Sequence, residues 1–262
     1  MKNCEELKKL RGGGGALLKA KLDALVSEKN TERGLKEFAD PLQVAKKFND
    51  SYVALMCALF SYGSAKNIMK FLESLDFTLI DKEEKKIIEG VKDLKYRFQT
   101  SEDIKQIFIT FARLKKAYDL EEIFTKPYKK SGNITDGILN CIKEIYKINA
   151  YTSKGYTHFF GKVWKKEPTS PLKRYNLFLR WMVRKDALDL GLWSEISPQD
   201  LLMPLDTHTQ KMALNLGLLK RKSYDFKAVL ELTQKLKEFD PKDPIKYDFA
   251  LYRLGQGGAS GA

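Results

Sequence analysis

Two histidines and three cysteines are the whole supply of imidazole and thiol in this 262-residue chain. His158 and His208 are too few for a multi-histidine metal centre. Cys4, Cys57 and Cys141 are far apart, with no CxxC pair and no close Cys/His set. Structural zinc, a four-cysteine iron–sulfur cluster and a disulfide framework are therefore disfavoured. No apolar run approaches the roughly 20 residues that span a bilayer. The opening MKNCEELKKL is charged and lacks the apolar core of a secretory signal. No strand-like alternation bounded by hairpin turns stands out, and nothing repeats at a fixed period. These absences predict a soluble, cytoplasmic, all-α protein.

Acidic residues are also in deficit, 34 Asp+Glu against 47 Lys+Arg, for a net charge of +13. That excess favours a polyanionic partner through Coulomb attraction and counterion release. Well-solvated lysines on an ordinary surface are the alternative. Hydrophobic residues make up 43%, enough for a sizeable core. The length allows one large domain or two small ones sharing a cleft.

A four-glycine run, Gly12 to Gly15, and the tail GQGGASGA from Gly255 read as flexible breaks. Between them the apolar spacing is helical. A segment starts at Pro41-Leu42 and runs into YVALMCALFSYG, Tyr52 to Gly63, apolar on most sides and so a buried helix. The pattern resumes in SAKNIMKFLESL and continues through KKIIEGVKDLKYRF and SEDIKQIFITFARLKKAYDL. Ser101 is the predicted N-cap of the last, with Glu102 and Asp103 in its first turn. NITDGILNCIKEIYKIN predicts another helix, and YTSKGYTHFFGKVW a loop-rich connection.

The stretch from Ser170 to Leu219 holds two helix starts with charged residues. Ser170 before Pro171 is the predicted N-cap of the first. Leu172, Tyr175, Phe178, Leu179, Met182 and Val183 share its apolar stripe. Lys173, Arg180 and Arg184 share another face, suited to a phosphate backbone or merely to solvent. This cap puts Lys173 at the third helical position, where the helix dipole and Arg174 both disfavour an ammonium. A lysine nucleophile needs that, because the neutral amine attacks. The second helix starts at Asp206 or Thr207 and ends near Leu216, with Gly217 as C′. Asp206 reads as a cap on spacing alone, and His208 as a packed or capping histidine.

PLDTHTQKMALNLGLL resembles the (V/L)D-x-H-x-x-(R/K) segment that closes the helix–hairpin–helix–GPD motif of base-excision DNA glycosylases. SPLKRYNLFLRWMVRKDALDLGLW with DPIKYDFALYRLG resembles the bacterial family DUF2400, related to archaeal GO glycosylase, an 8-oxoguanine DNA glycosylase with lyase activity. The resemblance covers most of the chain. It implies a helix–hairpin–helix–GPD fold of two helical subdomains, roughly 40–165 and 166–255, with DNA in the cleft and residues 1–39 unassigned. Asp206 matches the essential aspartate, and Lys173, which precedes it by 33 residues (206 − 173), is the best match to the nucleophile. The usual LPGVGxK-like hairpin is missing, so residues 185–205 would form an atypical one. The iron–sulfur cysteines of the endonuclease III branch are missing too. LFSYGSAKN resembles the turn pushed against the gap left by a flipped base.

The implied activity is removal of 8-oxoguanine followed by β-elimination through a lysine Schiff base, with no metal or organic cofactor. The implied partner is double-stranded DNA containing a damaged base, bound by a nucleoid-associated monomer. The implied DNA contacts are Arg174, Arg180, Thr207, Thr209 and Lys211, with Tyr62, Ser64 and Lys66. Trp164, Trp181, Trp193 and Tyr252 are aromatic candidates for the base pocket, Trp181, Trp193 and Tyr252 foremost, with packing in the core as their other reading. A DNA-binding module without catalysis and a helical interaction scaffold are the competing readings.

Overall fold

The computed structural model describes residues 15–256. Among the described residues there are fourteen α-helices, three 3-10 turns and no strand. They fall into two compact units, residues 40–166 and residues 15–39 with 167–256. Of the predicted glycine breaks, Gly12 to Gly14 and the tail beyond Gln256 lie outside the described residues. Gly15 and Gly255 belong to helices.

The 15–39/167–256 unit opens with α1 (Gly15–Lys29) and α2 (Glu32–Lys36). The 40–166 unit continues with α3 (Leu42–Phe48), α4 (Ser51–Leu59), α5 (Ala65–Glu73) and α6 (Glu84–Gly90), then α7 (Ser101–Ala117), α8 (Leu120–Ser131), α9 (Ile134–Ile148) and α10 (Lys154–Phe160). The helix expected over Tyr52 to Gly63 is α4, and every residue from Tyr52 to Leu59 is buried. A helix apolar all round has no face to give to water, so it takes the centre. Asp50 caps it, accepting from the backbone N–H groups of Tyr52 and Val53.

Three predictions in this unit need correction. The N-cap of α7 is Thr100, not Ser101. Only Thr100 stands three residues before Asp103, whose carboxylate accepts from the Thr100 N–H in return, closing a capping box. KKIIEGVKDLKYRF is helical only to Gly90 and then turns. YTSKGYTHFFGKVW contains α10, capped by the Ser153 hydroxyl on the Tyr156 N–H. Its aromatic run gives no polar–apolar period, so sequence pattern misses it.

Helix α8 runs through Pro127, which has no N–H for the carbonyl of Ile123. Asn140 on α9 supplies the replacement, donating from Nδ2 to that carbonyl at 2.9 Å. The proline is thereby tolerated inside the α8–α9 hairpin.

The other unit resumes with α11 (Lys173–Val183), α12 (Thr207–Asn215), α13 (Phe226–Lys237) and α14 (Asp248–Gln256), with 3-10 turns at Pro198–Asp200 and Pro244–Tyr247. Its first helix docks on its last elements. Asp23 accepts from the Tyr247 hydroxyl at 2.9 Å and pairs with Lys246 at 3.0 Å. Asn30 donates to the Lys246 carbonyl. Although burial raises the Asp23 pKa, hydrogen bonds from Lys19, Lys246 and Tyr247 prevail and hold it at about 2.

Candidate functional site

Helix α11 starts two residues later than predicted, with Lys173 as its first residue. Ser170 is not the cap. Leu172 occupies the N-cap position in a left-handed conformation, φ 52°, and no side chain caps the first turn. The chain is pinned just upstream, where the Thr169 carbonyl accepts from the Phe226 N–H that opens α13. Asn176 pulls the entry tight from the other side, donating to the Pro171 carbonyl at 3.1 Å. Lys173 and Arg174 are both partly buried.

The expected basic face does not form. Arg180 and Arg184 are 3% and 5% exposed and belong to a buried ion network. Arg180 donates from Nε and Nη2 to Asp189 at 3.1 and 3.0 Å, and from Nη1 to Asp248 at 2.6 Å. Arg184 pairs with Asp186, Asp189 and Asp243. Arg180 is therefore not a DNA contact; its fork is filled by carboxylates of its own unit. A buried guanidinium needs such partners because an uncompensated one is costly to desolvate. Burial pushes Asp248 up to about 6 against the pull of Arg180, with Asp206 and Asp189 adding smaller upward contributions. Burial raises Asp189 as well, against both arginines.

Asp206 is the N-cap of α12, as LDTHT predicts, and its Oδ1 accepts from the Thr209 N–H at 2.7 Å. Gly217 follows the helix with φ 70°, in the expected C′ place. Thr207, His208 and Lys211 are exposed. His208 is thus neither the cap nor packed inside. Thr209 is turned inward at 1% exposure, which removes it as a DNA contact, and its Oγ1 has no protein partner.

Tyr224 is the residue that sequence reading missed. Its hydroxyl donates to the Leu205 carbonyl, next to Asp206, at 2.9 Å. Partial burial raises its pKa to about 12; Asp206 adds to the rise and Arg174 opposes it. The same segment touches both helix starts, since the Phe226 N–H donates to the Thr169 carbonyl just before α11 at 3.1 Å. Gln210 holds the Tyr224 loop in place, donating from Nε2 to the carbonyls of Lys222 and Ser223, both at 3.1 Å. No local motif marks Tyr224, because its role depends on a loop folding back over 19 residues.

Trp181 and Trp193 are core side chains, 1% and 4% exposed, in keeping with the packing reading of the two. Trp193 packs edge-on against Phe178 at 5.1 Å. Tyr252 is partly exposed on α14. Tyr62, Ser64, Lys66 and Trp164 belong to the 40–166 unit, where Ser64 caps α5 through the Asn67 N–H. Among the described residues no group of three or more His, Cys, Asp or Glu could hold a metal ion. No helix among them is long and apolar enough to cross a membrane.

Fold and site together define an all-helical protein whose partly buried lysine–arginine turn and capping aspartate lie in one compact unit. The chain belongs to the DUF2400 family, a protein family of unknown function, whose match spans residues 40–257. No curated protein and no solved structure matches the chain.

Proposed function

We propose that this protein is a base-excision DNA glycosylase that removes 8-oxoguanine and cleaves the resulting abasic site as a lyase. The helix–hairpin–helix–GPD architecture and the kinship with archaeal GO glycosylase are part of the same proposal. The observation that carries it is that one short segment holds both helix starts, the Tyr224 hydroxyl on the Leu205 carbonyl before Asp206 and the Phe226 N–H on the Thr169 carbonyl before Lys173. The net charge of +13 supports a polyanionic substrate.

Double-stranded DNA would present the damaged nucleotide extruded from its stack. Lys173 Nζ attacks C1′ with its lone pair as the C1′–N9 bond breaks, and the base leaves with the bonding electrons and takes up the proton that the amine gives up. The Asp206 carboxylate stabilises positive charge developing on the sugar and assists the proton transfers. Ring opening gives a lysine Schiff base, whose β-elimination nicks the strand and whose hydrolysis restores the amine. No metal or organic cofactor takes part. In this reading Thr207, Lys211 and Arg174 would contact the backbone.

The test is borohydride trapping on a duplex containing 8-oxoguanine. Wild type is expected to form a covalent adduct and Lys173→Gln none. Absence of both adduct and base release from wild type overturns the proposal. Salt-sensitive duplex binding without product, unchanged by Asp206→Asn, would instead establish a binding module.

A further inference from the structure

The 40–166 unit carries an aromatic surface that the chemistry above does not use. The ring centroids of Tyr62 and Phe98 are 6.4 Å apart and their planes lie within 10° of parallel. His158 stands across both, 4.9 Å from Tyr62 at 81° and 4.8 Å from Phe98 at 71°. Phe98 is 59% exposed and His158 is also exposed. A phenyl ring this open to water costs solvation free energy unless something covers it in use.

The rings are held rather than loosely displayed. Arg97 and Phe98 form the tip of a two-residue turn closed by reciprocal backbone hydrogen bonds between Tyr96 and Gln99, at 3.2 and 2.8 Å. Arg97 takes a left-handed φ of 51°, a strained choice for a side-chain-bearing residue. Below the tip, Gln99 is 2% exposed and joins all three segments. Its Oε1 accepts from the Tyr62 hydroxyl, and its Nε2 donates to the Gly155 carbonyl at 2.8 Å. The buried Tyr96 donates to the Tyr62 carbonyl at 2.8 Å. A Cβ at Gly155 would stand 2.4 Å from Asp103 Oδ2 and 2.7 Å from the Phe98 carbonyl oxygen, so only glycine lets α10 sit so close beneath the turn. Gly63, with φ 112°, makes the matching turn after Tyr62.

The charges exposed on the three segments are of one sign, with the nearby Asp103 carboxylate buried beneath the turn. Residues 60–70, 94–101 and 150–162 contain Lys66, Lys70, Lys95, Arg97, Lys154 and Lys162 and no carboxylate. All six are exposed. The Arg97 guanidinium lies 5.4 Å from the Phe98 ring centroid. Flat π-faces beside exposed cations are the combination that holds nucleic acid whose bases are not paired, through stacking on the rings and contact with the phosphates.

We propose that Tyr62, Phe98 and His158 form a stacking platform for an unpaired nucleobase, with Arg97, Lys66 and Lys154 meeting the adjoining phosphates. The platform rests on nucleic-acid binding alone and not on the chemistry assigned to Lys173 and Asp206. It takes single-stranded or locally opened nucleic acid, and its preference among bases is weak because every base has a π-face.

The test is fluorescence anisotropy with a labelled single-stranded oligothymidine, at several salt concentrations. Phe98→Ala is expected to weaken binding at least about five-fold without changing the salt slope. Phe98→Trp is expected to keep the affinity, which separates loss of stacking from loss of fold. Arg97→Ala is expected to lower the salt slope by about one. Oligothymidine carrying 5-iododeoxyuridine should photocrosslink to the Tyr62, Phe98 or His158 peptide. Wild-type binding that Phe98→Ala leaves intact, or no binding of the oligothymidine at all, overturns the platform. Both results are independent of borohydride trapping, so failure of the glycosylase reading and failure of the platform are told apart.

Discussion

Arg180 and Asp248, 68 residues apart in sequence, meet at 2.6 Å with both side chains buried. The pair joins the middle of α11 to the start of α14, and Asp189 closes the other side of the guanidinium. Replacing Arg180 by Met keeps much of the volume but strands Asp248 and leaves Asp189 with Arg184 alone. The expected loss is about 3–5 kcal/mol of unfolding free energy in urea titrations. Adding Asp248→Leu to Arg180→Met should recover part of that loss, because the second change removes one stranded charge. Full additivity of the two changes would refute the coupling.

The same network sets a pH dependence. Asp248 is raised from 3.8 to about 6 in the folded protein. Between about pH 4 and 6 the folded state then binds more protons than the unfolded state. The contribution of Asp248 is complete below pH 4 and is lost as pH rises through 6, by roughly 3 kcal/mol at most. The lowered Asp23 acts in a separate window, stabilising above its unfolded value and losing that contribution as pH falls through 2. Urea unfolding at pH 4, 5 and 6 should show a declining contribution in wild type that Asp248→Asn lacks. Equal slopes in the two proteins would count against this assignment.

Asp206 separates capping from chemistry. Asparagine caps a helix about as well as aspartate, whereas alanine costs about 1 kcal/mol. Asp206→Asn is therefore expected to melt within a few degrees of wild type and to lose base release from 8-oxoguanine duplex. Asp206→Ala should lose both stability and product. Full activity in Asp206→Asn would leave the residue as a cap and nothing more.

Gly155→Ala probes the support under the aromatic turn. The added methyl meets a carboxylate oxygen and a backbone oxygen, neither of which can yield without moving the turn. A loss of about 1–3 kcal/mol is expected from thermal or urea unfolding. A neutral result would mean that α10 and the turn are looser than the packing indicates.

What could be read in the sequence was local. The cap at Asp206, the C′ glycine at 217 and the all-apolar α4 each depend on a few neighbouring residues. The start of α11 is hidden in the sequence because Ser170-Pro171 has cap chemistry, yet a contact from Phe226, far along the chain, fixes the backbone there. The arginines of α11 fall on one helical face in the sequence, and a solvated strip and a buried network look alike at that level. Asp243 and Asp248 decide between them, and they lie 59 and 68 residues from their partners. The aromatic surface was half legible. Tyr62 stood in a recognisable turn, but Phe98 and His158 join it only through Gln99 and Gly155.

The docking of α1 on Lys246 and Tyr247 has a consequence for how the protein comes off the ribosome. Those contacts span 216 and 224 residues, so the unit they close is discontinuous in the chain. Residues 40–166 are continuous and can complete their core while synthesis proceeds. The opening helix must wait for the last two elements before its polar side chains find their partners. Its polar contacts to Lys246 and Tyr247 therefore close a long loop, and residues 40–166 can form their core before those contacts exist.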